Sequence, residues 1–142
     1  MPQVIIYTNE NGGVAVCVPT GELPIEQVLT KDCPVGAVIV EESTLPQGDD
    51  AAFFDAWVRD GASVSVDLDK AKALQTANLN NIAKTEAQHR STNTAIGLTN
   101  VLSDADWIAL LTTARAAITA SETTTDLIAA IAPVQSAIAA NT

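Results

Sequence analysis

Basic residues are scarce: seven Lys and Arg stand against seventeen Asp and Glu, giving a formal net charge of −10 over 142 residues. A nucleic-acid groove needs clustered cations to displace counterions, so direct nucleic-acid binding is not expected. The same balance argues against anionic membrane surfaces. Aromatic residues make up only 4%, which leaves few large anchors for a core. His89 is the single histidine, and Cys17 and Cys33 are the only cysteines, with no CxxC spacing or Cys/His cluster. A metal centre is therefore not expected. No apolar run approaches the ~20 residues of a membrane span. The start, Met1-Pro2-Gln3-Val4-Ile5-Ile6-Tyr7, lacks the charged head, apolar stretch and cleavage site of a signal peptide, so synthesis and folding in the cytoplasm are expected.

What is present is a chain of 47% hydrophobic content, too apolar for a disordered acidic tail. Its length suits one ordinary domain, or a small domain with a helical appendage. Much of the apolar content is Ala, which buries little surface. Such a core needs close helix contacts or help from other subunits, and this favours an oligomer. Cys17 and Cys33, sixteen positions apart, read as buried free thiols, with a disulfide left open.

The chain turns on the junction Ser63-Val64-Ser65-Val66-Asp67-Leu68-Asp69-Lys70. Before it, Val4–Thr8 and Val14–Val18 read as strands joined by Asn9-Glu10-Asn11-Gly12-Gly13, a turn sequence that supplies positive φ. Ile25, Val28 and Leu29 fall at i, i+3 and i+4, a short amphipathic helix ending by Lys31-Asp32. Val35–Val40 reads as a third, central strand. Phe54, Ala56 and Val58 alternate with Asp55, Trp57 and Arg59 and read as a strand, with a short helical turn before it left open. Asp60-Gly61-Ala62 then turns into a strand at Val64 and Val66.

After the junction, helical periodicity takes over. Asp67 or Asp69 can cap a helix running to about Arg90, or as far as Thr94. Leu68, Ala71, Leu74, Asn78 and Ile82 share its narrow apolar face, with Leu79 beside it. Ser91–Asn100 reads as a linker around Gly97. Ser103, with Asp106 three residues on, starts a helix whose apolar face is Trp107 or Ile108, Leu111, Ala114 and Ile118. Asp126 precedes a last amphipathic segment, which Pro133 is expected to kink or split. The expected fold is α+β, with a β-rich module over 1–66, a connecting helix and linker over 67–96, and a helical hairpin over 97–142.

No catalytic constellation stands out. His89 beside Glu86 and Arg90 has no further metal ligand on its face and reads as a solvated helix residue. Glu41-Glu42 and Asp49-Asp50 lack the alternating oxygen ligands of a calcium loop. There is no G-x-S-x-G elbow, and Gly12-Gly13 precedes a strand and not a helix, so it is a hairpin turn and not a phosphate loop. Neither enzymatic activity nor a cofactor is expected. Trp57 is either an exposed interface anchor or a buried residue; Trp107 reads as core.

Four ordered blocks are familiar as a set: Ile5 to Val16, Lys31-Asp32-Cys33-Pro34-Val35-Gly36, Phe54-Asp55-Ala56-Trp57, and Val66 to Lys72. Together they resemble a family of small proteins of tailed bacteriophages and prophages whose roles are unassigned or tail-associated. The resemblance covers about residues 4 to 90 and carries no catalytic residues. Over Gln75–Gln88 this chain is Asn/Ala-rich where the familiar form is basic. The resemblance implies a non-enzymatic structural or adaptor protein of the tail or tail-fibre region, virion-associated and homo-oligomeric, with tail or fibre proteins as partners. The candidate interface residues are Trp57, Leu68, Ala71, Leu74, Ile82 and Trp107. Two alternatives stand beside it: an assembly chaperone absent from the virion, and a small-ligand-binding or host-defence-countering protein using Asn78, Asn80 and Asn81.

Overall fold

Asn9 and Gly12 shape the first hairpin, which joins strands β1 (Gln3–Thr8) and β2 (Val14–Cys17). The Asn9 carboxamide oxygen accepts from the amides of Asn11 and Gly13 at 3.0 and 2.9 Å. Gly12 takes φ +79°, a region open to glycine without a Cβ clash. In this computed structural model, which describes residues 2–141, the chain is α+β and divides into two compact units, 1–70 and 71–142. Met1 and Thr142, the outer ends of the expected domains, lie outside the described residues.

In the first unit, helix α1 (Ile25–Asp32) follows the hairpin and leads to strand β3 (Val38–Glu41). The sheet is antiparallel with order β2-β1-β3. The expected central position of β3 is therefore corrected: β1 is the middle strand and β3 lies at an edge. Nor does β3 begin at Val35. Pro34 accepts from the Ala37 amide and Gly36 has φ +91°, so a turn occupies this stretch and leaves Val35 fully exposed.

Residues 48–56 form 3-10 turns broken at Phe53, where φ/ψ is −107°/42°. The strand expected from Phe54 starts instead at Trp57: β4 (Trp57–Asp60) pairs antiparallel with β5 (Ser63–Val66) across Gly61. Val4 and Ile6 on one face of β1 join Val14, Val40, Leu45 and Trp57 in one core cluster, with Val64 and Val66 packed against it. Each such aliphatic side chain contributes about 1.5–3 kcal/mol when fully buried. Ile5, on the opposite face, is equally buried, and α1 lies against β1 and β3.

Arg59 fastens the second hairpin to the first sheet. It donates to the Thr8 hydroxyl at 3.0 Å and to the Gly36 and Gly61 carbonyls at 2.8 Å each. Three directed bonds from one planar group fix orientation as well as distance.

The second unit holds α2 (Leu68–Ala95), α3 (Asp104–Ala120) and α4 (Thr124–Ala140). Asp67, and not Asp69, caps α2, its carboxylate accepting from the amides of Asp69 and Lys70. The helix runs past Arg90 and Thr94 to Ala95, so the linker expected over 91–100 starts later. It stops in a glycine cap: Gly97, at φ +83°, donates to Thr94 O while Leu98 donates to Asn93 O at 2.7 Å. Its 28 residues span about 42 Å. Instead of standing apart as a connecting arm, most of α2 belongs with the helical hairpin.

Ser103 caps α3 and Thr123 caps α4, each hydroxyl accepting from an amide three residues on. Trp107, Leu111, Ala114 and Ile118 are buried on α3; Leu127, Ala130, Ile131 and Val134 are buried on α4. This 4–3 spacing is a coiled-coil seam, and its alanines let α3 and α4 approach more closely than either approaches α2. Pro133 neither splits α4 nor ends it. The residue and its i−4 neighbour Ala129 are both exposed, so the carbonyl deprived of a donor can be hydrated.

Candidate interaction site

The buried face of α2 is only in part the one its hydrophobic residues mark: Ala71 and Leu79 are fully buried. Ala71, Gln75, Leu79, Glu86, Arg90 and Asn93 are buried, whereas Leu68, Leu74 and Ile82 are only half-buried and Asn78 is exposed. Of the candidate interface residues, Trp57, Ala71 and Trp107 lie inside the protein. Trp57 is thus no exposed anchor: it sits in the first unit's core and donates from Nε1 to Asp50 O at 3.0 Å. Trp107 is core, as its helical phase indicates.

Because α2 meets its neighbours through polar side chains, these carry the packing. Gln75 donates to Leu127 O at 2.8 Å, fully buried, while its own carboxamide oxygen accepts from Asn78. Toward the other end, Glu86 accepts from Asn141 Nδ2 at 2.9 Å. Asn141 also donates to Asn100 and accepts from the Val101 amide, and Asn93 donates to Asn100. Arg90 donates to Leu102 O at 2.6 Å and to Asp104 at 2.8 Å, with its guanidinium 5.8 Å from the Trp107 ring centroid. His89 Nδ1 lies 3.4 Å from Glu86. Sequence reasoning missed this polar lock, since Glu86 and Asn141 are 55 residues apart and neither is apolar.

Beside the lock runs an open groove of about 780 Å³ between α2 and α3. Ala83, Ala87, Ser91 and Ala95 form its α2 wall at four-residue spacing, and Trp107, Ile108 and Leu111 form the other. Ile108 is 61% exposed at this wall. Ile96, Leu98 and Val101, in the segment after α2, are 66%, 57% and 61% exposed. A second groove, of about 430 Å³, lies between α2 and α4 along Asn81, Ile82, Thr85, Glu86, Gln135 and Ile138.

The three asparagines singled out in the sequence do not line one pocket. Asn78 donates to Gln75, Asn80 accepts from Arg115 at 3.4 Å, and Asn81 borders the second groove. Among the described residues no group of three or more His, Cys, Asp or Glu side chains gathers to hold a metal ion, and no helix is long and apolar enough to cross a membrane.

Charge is divided unevenly. Residues 1–70 hold twelve of the seventeen acidic and three of the seven basic residues, a net −9, which leaves −1 for residues 71–142. The exposed apolar side chains of the helical unit thus occur on a nearly neutral body. In the first unit, Cys17 and Cys33 are free thiols, half-buried and not buried as expected. Burial pushes the Cys33 thiol above its usual value, and Cys17 and then Asp32 add to this.

Searches against family models, curated proteins and solved structures find no match.

Proposed function

We propose that this chain is a non-enzymatic structural or adaptor protein of a phage tail or tail-fibre assembly that works through protein–protein contacts. The observation that carries the contact role is the exposed apolar group Ile96, Leu98, Val101 and Ile108 on a unit of net charge −1. Isolated exposed apolar residues are ordinary, but Ile108 walls an open groove between α2 and α3, and such a groove favours association. The small residues Ala83, Ala87, Ser91 and Ala95 let an incoming helix approach the α2 backbone closely. The resemblance of residues 4 to 90 to small tail-associated proteins supplies the assembly. In the first unit, strong negative charge favours solubility and rejects other acidic surfaces.

The test is quantitative mass spectrometry of purified particles from a phage that encodes the chain. The adaptor reading expects it in the particle at a fixed ratio to a tail or fibre protein. Its absence from particles, with a stable complex to a fibre protein in the lysate, gives the chaperone reading instead. Absence from both overturns the proposal.

A further inference from the structure

Strand β3 is an edge of the three-stranded sheet, and β5 pairs on one side only, with β4. The antiparallel registers fix which backbone groups those free edges present. Glu42 donates to Pro2 O at 3.0 Å, so along the β1–β3 ladder Val40 and Val38 bond inward to β1. The residues between them in such a ladder point the other way. Ile39 therefore turns its N–H and C=O outward, as does Glu41, whose carbonyl accepts from the Thr44 hydroxyl at 2.7 Å. By the same alternation Asp67, which donates to Ala56 O at 2.9 Å, leaves Val64 and Val66 of β5 facing outward.

An open cleft of about 430 Å³ runs along β3 to the start of β5, lined by Ile39, Val40, Glu41, Thr44, Ala62 and Ser63. All six belong to the first unit. Val38 and Val40 of β3 pack in the same core cluster as Val64 and Val66 of β5. The cleft thus opens where two strands share an interior without sharing a ladder.

Glu41 gives the cleft its chemistry. Its Oε1 accepts from Gln3 at a long 3.4 Å. Its Oε2 is shielded from solvent and, among the described residues, is the one such side-chain atom without a hydrogen-bond partner. An acceptor left unpaired in that way is costly, and a carboxylate oxygen gains most from a cationic donor. From Gly36 to Val66, six acidic residues stand against Arg59 alone. Arg59 is already committed to Thr8, Gly36 and Gly61.

We propose that this cleft takes an extended basic segment of a partner protein, which adds its backbone to the free edge of β3 and sets a Lys or Arg on Glu41. Recognition of this kind draws affinity from main-chain bonds and specificity from alternate side chains. Side chains alternate across a strand, so the segment turns apolar residues toward the Val38 and Val40 side and cations toward the Glu41 side. A second copy of the chain does not suit the charge, because two units of net −9 repel. The proposal rests on the first unit alone and does not depend on the groove between α2 and α3.

The full chain is titrated with a short synthetic peptide of alternating Lys and Val, followed by calorimetry and amide exchange in NMR spectra. Expected are one-to-one binding and slowed exchange at the Ile39 and Glu41 amides. The same peptide N-methylated at alternate residues, which cannot complete the backbone bonds, and a Glu-for-Lys version are expected not to bind. Glu41→Gln is expected to weaken the Lys peptide roughly tenfold. Glu10→Gln makes the same charge change in the β1–β2 turn, at the far end of β1 from Glu41, and is expected to leave affinity near wild type. No binding of the Lys peptide, equal binding of the Glu version, or equal losses in the two variants overturns the proposal. So does a dimer of the chain joined through β3.

Discussion

The two units of this chain reach a closed interior by opposite means. Residues 1–70 bury a cluster of Val, Ile, Leu and Trp57 between antiparallel strands, and polar groups such as Arg59 act at its margin. Residues 71–142 bury modest Ala-rich helix faces and set Gln75, Glu86, Arg90, Asn93 and Asn141 inside. An apolar core tolerates many arrangements of similar volume, whereas buried polar atoms demand particular partners. The helical unit thus trades apolar area for directional bonds, while the β unit carries most of the net charge. Exposed apolar residues occur in both units: Val18, Leu23, Val35 and Phe54 in the first, and Ile96, Leu98, Val101, Ile108 and Ile128 in the second.

The sharpest break in the comparison comes from Trp57→Ala. It empties the first unit's core and removes the bond to Asp50 O, at an expected cost of about 3–5 kcal/mol by urea denaturation. A loss below about 1 kcal/mol would mean that the β unit is not held by this cluster.

Next in size is the polar lock. Glu86→Ala and Asn141→Ala each strand a buried partner, so each is expected to cost about 1–3 kcal/mol. The double variant is expected to cost less than the two together by about 1 kcal/mol, because the pair shares one bond. Strict additivity in this double-mutant cycle would sink the idea of a coupled network.

Pro133→Ala restores a helix donor in α4 and is expected to stabilise the helical unit by roughly 1–2 kcal/mol. That is less than the full interior penalty of ~3 kcal/mol because the orphaned carbonyl is on the exposed side. Thermal unfolding followed by circular dichroism reads the gain.

The smallest effect is one of pH, confined to the β unit. The folded Cys33 thiol titrates above its usual value of 9.0. As pH rises past that value the unfolded chain releases the proton first and binds fewer protons than the folded one. The contribution of Cys33 is therefore fully present below pH 9.0 and is lost as pH climbs toward the folded value. Cys33→Ser is expected to flatten this alkaline slope in a series of Tm measurements.

What the sequence revealed follows the same division. The hairpins were legible because Asn9, Gly12 and Gly61 carry turn chemistry that acts over a few residues. The faces of α3 and α4 were legible because Trp107, Leu111, Ala114, Ile118 and Leu127 are apolar at the right spacing. Val35 misled because an apolar residue within a β-branched run was held outside by the turn after Pro34. Trp57 was left open between exposed and buried because strand alternation from Phe54 was carried through what are 3-10 turns. The buried face of α2 was hidden for a deeper reason: hydropathy cannot mark Glu86, Arg90 or Asn93 as interior when their partners come from distant helix ends. The groove beside them was hidden with it, since its walls depend on how α2 is rotated against α3.

Hydrogen exchange read by mass spectrometry on the full chain, with Trp57→Ala and Leu127→Ala in parallel, most directly tests whether the two units are held separately. Expected is a crossed pattern: Trp57→Ala strips protection from residues 3–66 and leaves 79–138 close to wild type, and Leu127→Ala does the reverse. Loss of protection throughout the chain in either variant would contradict it, since the interior would then be one cooperative body.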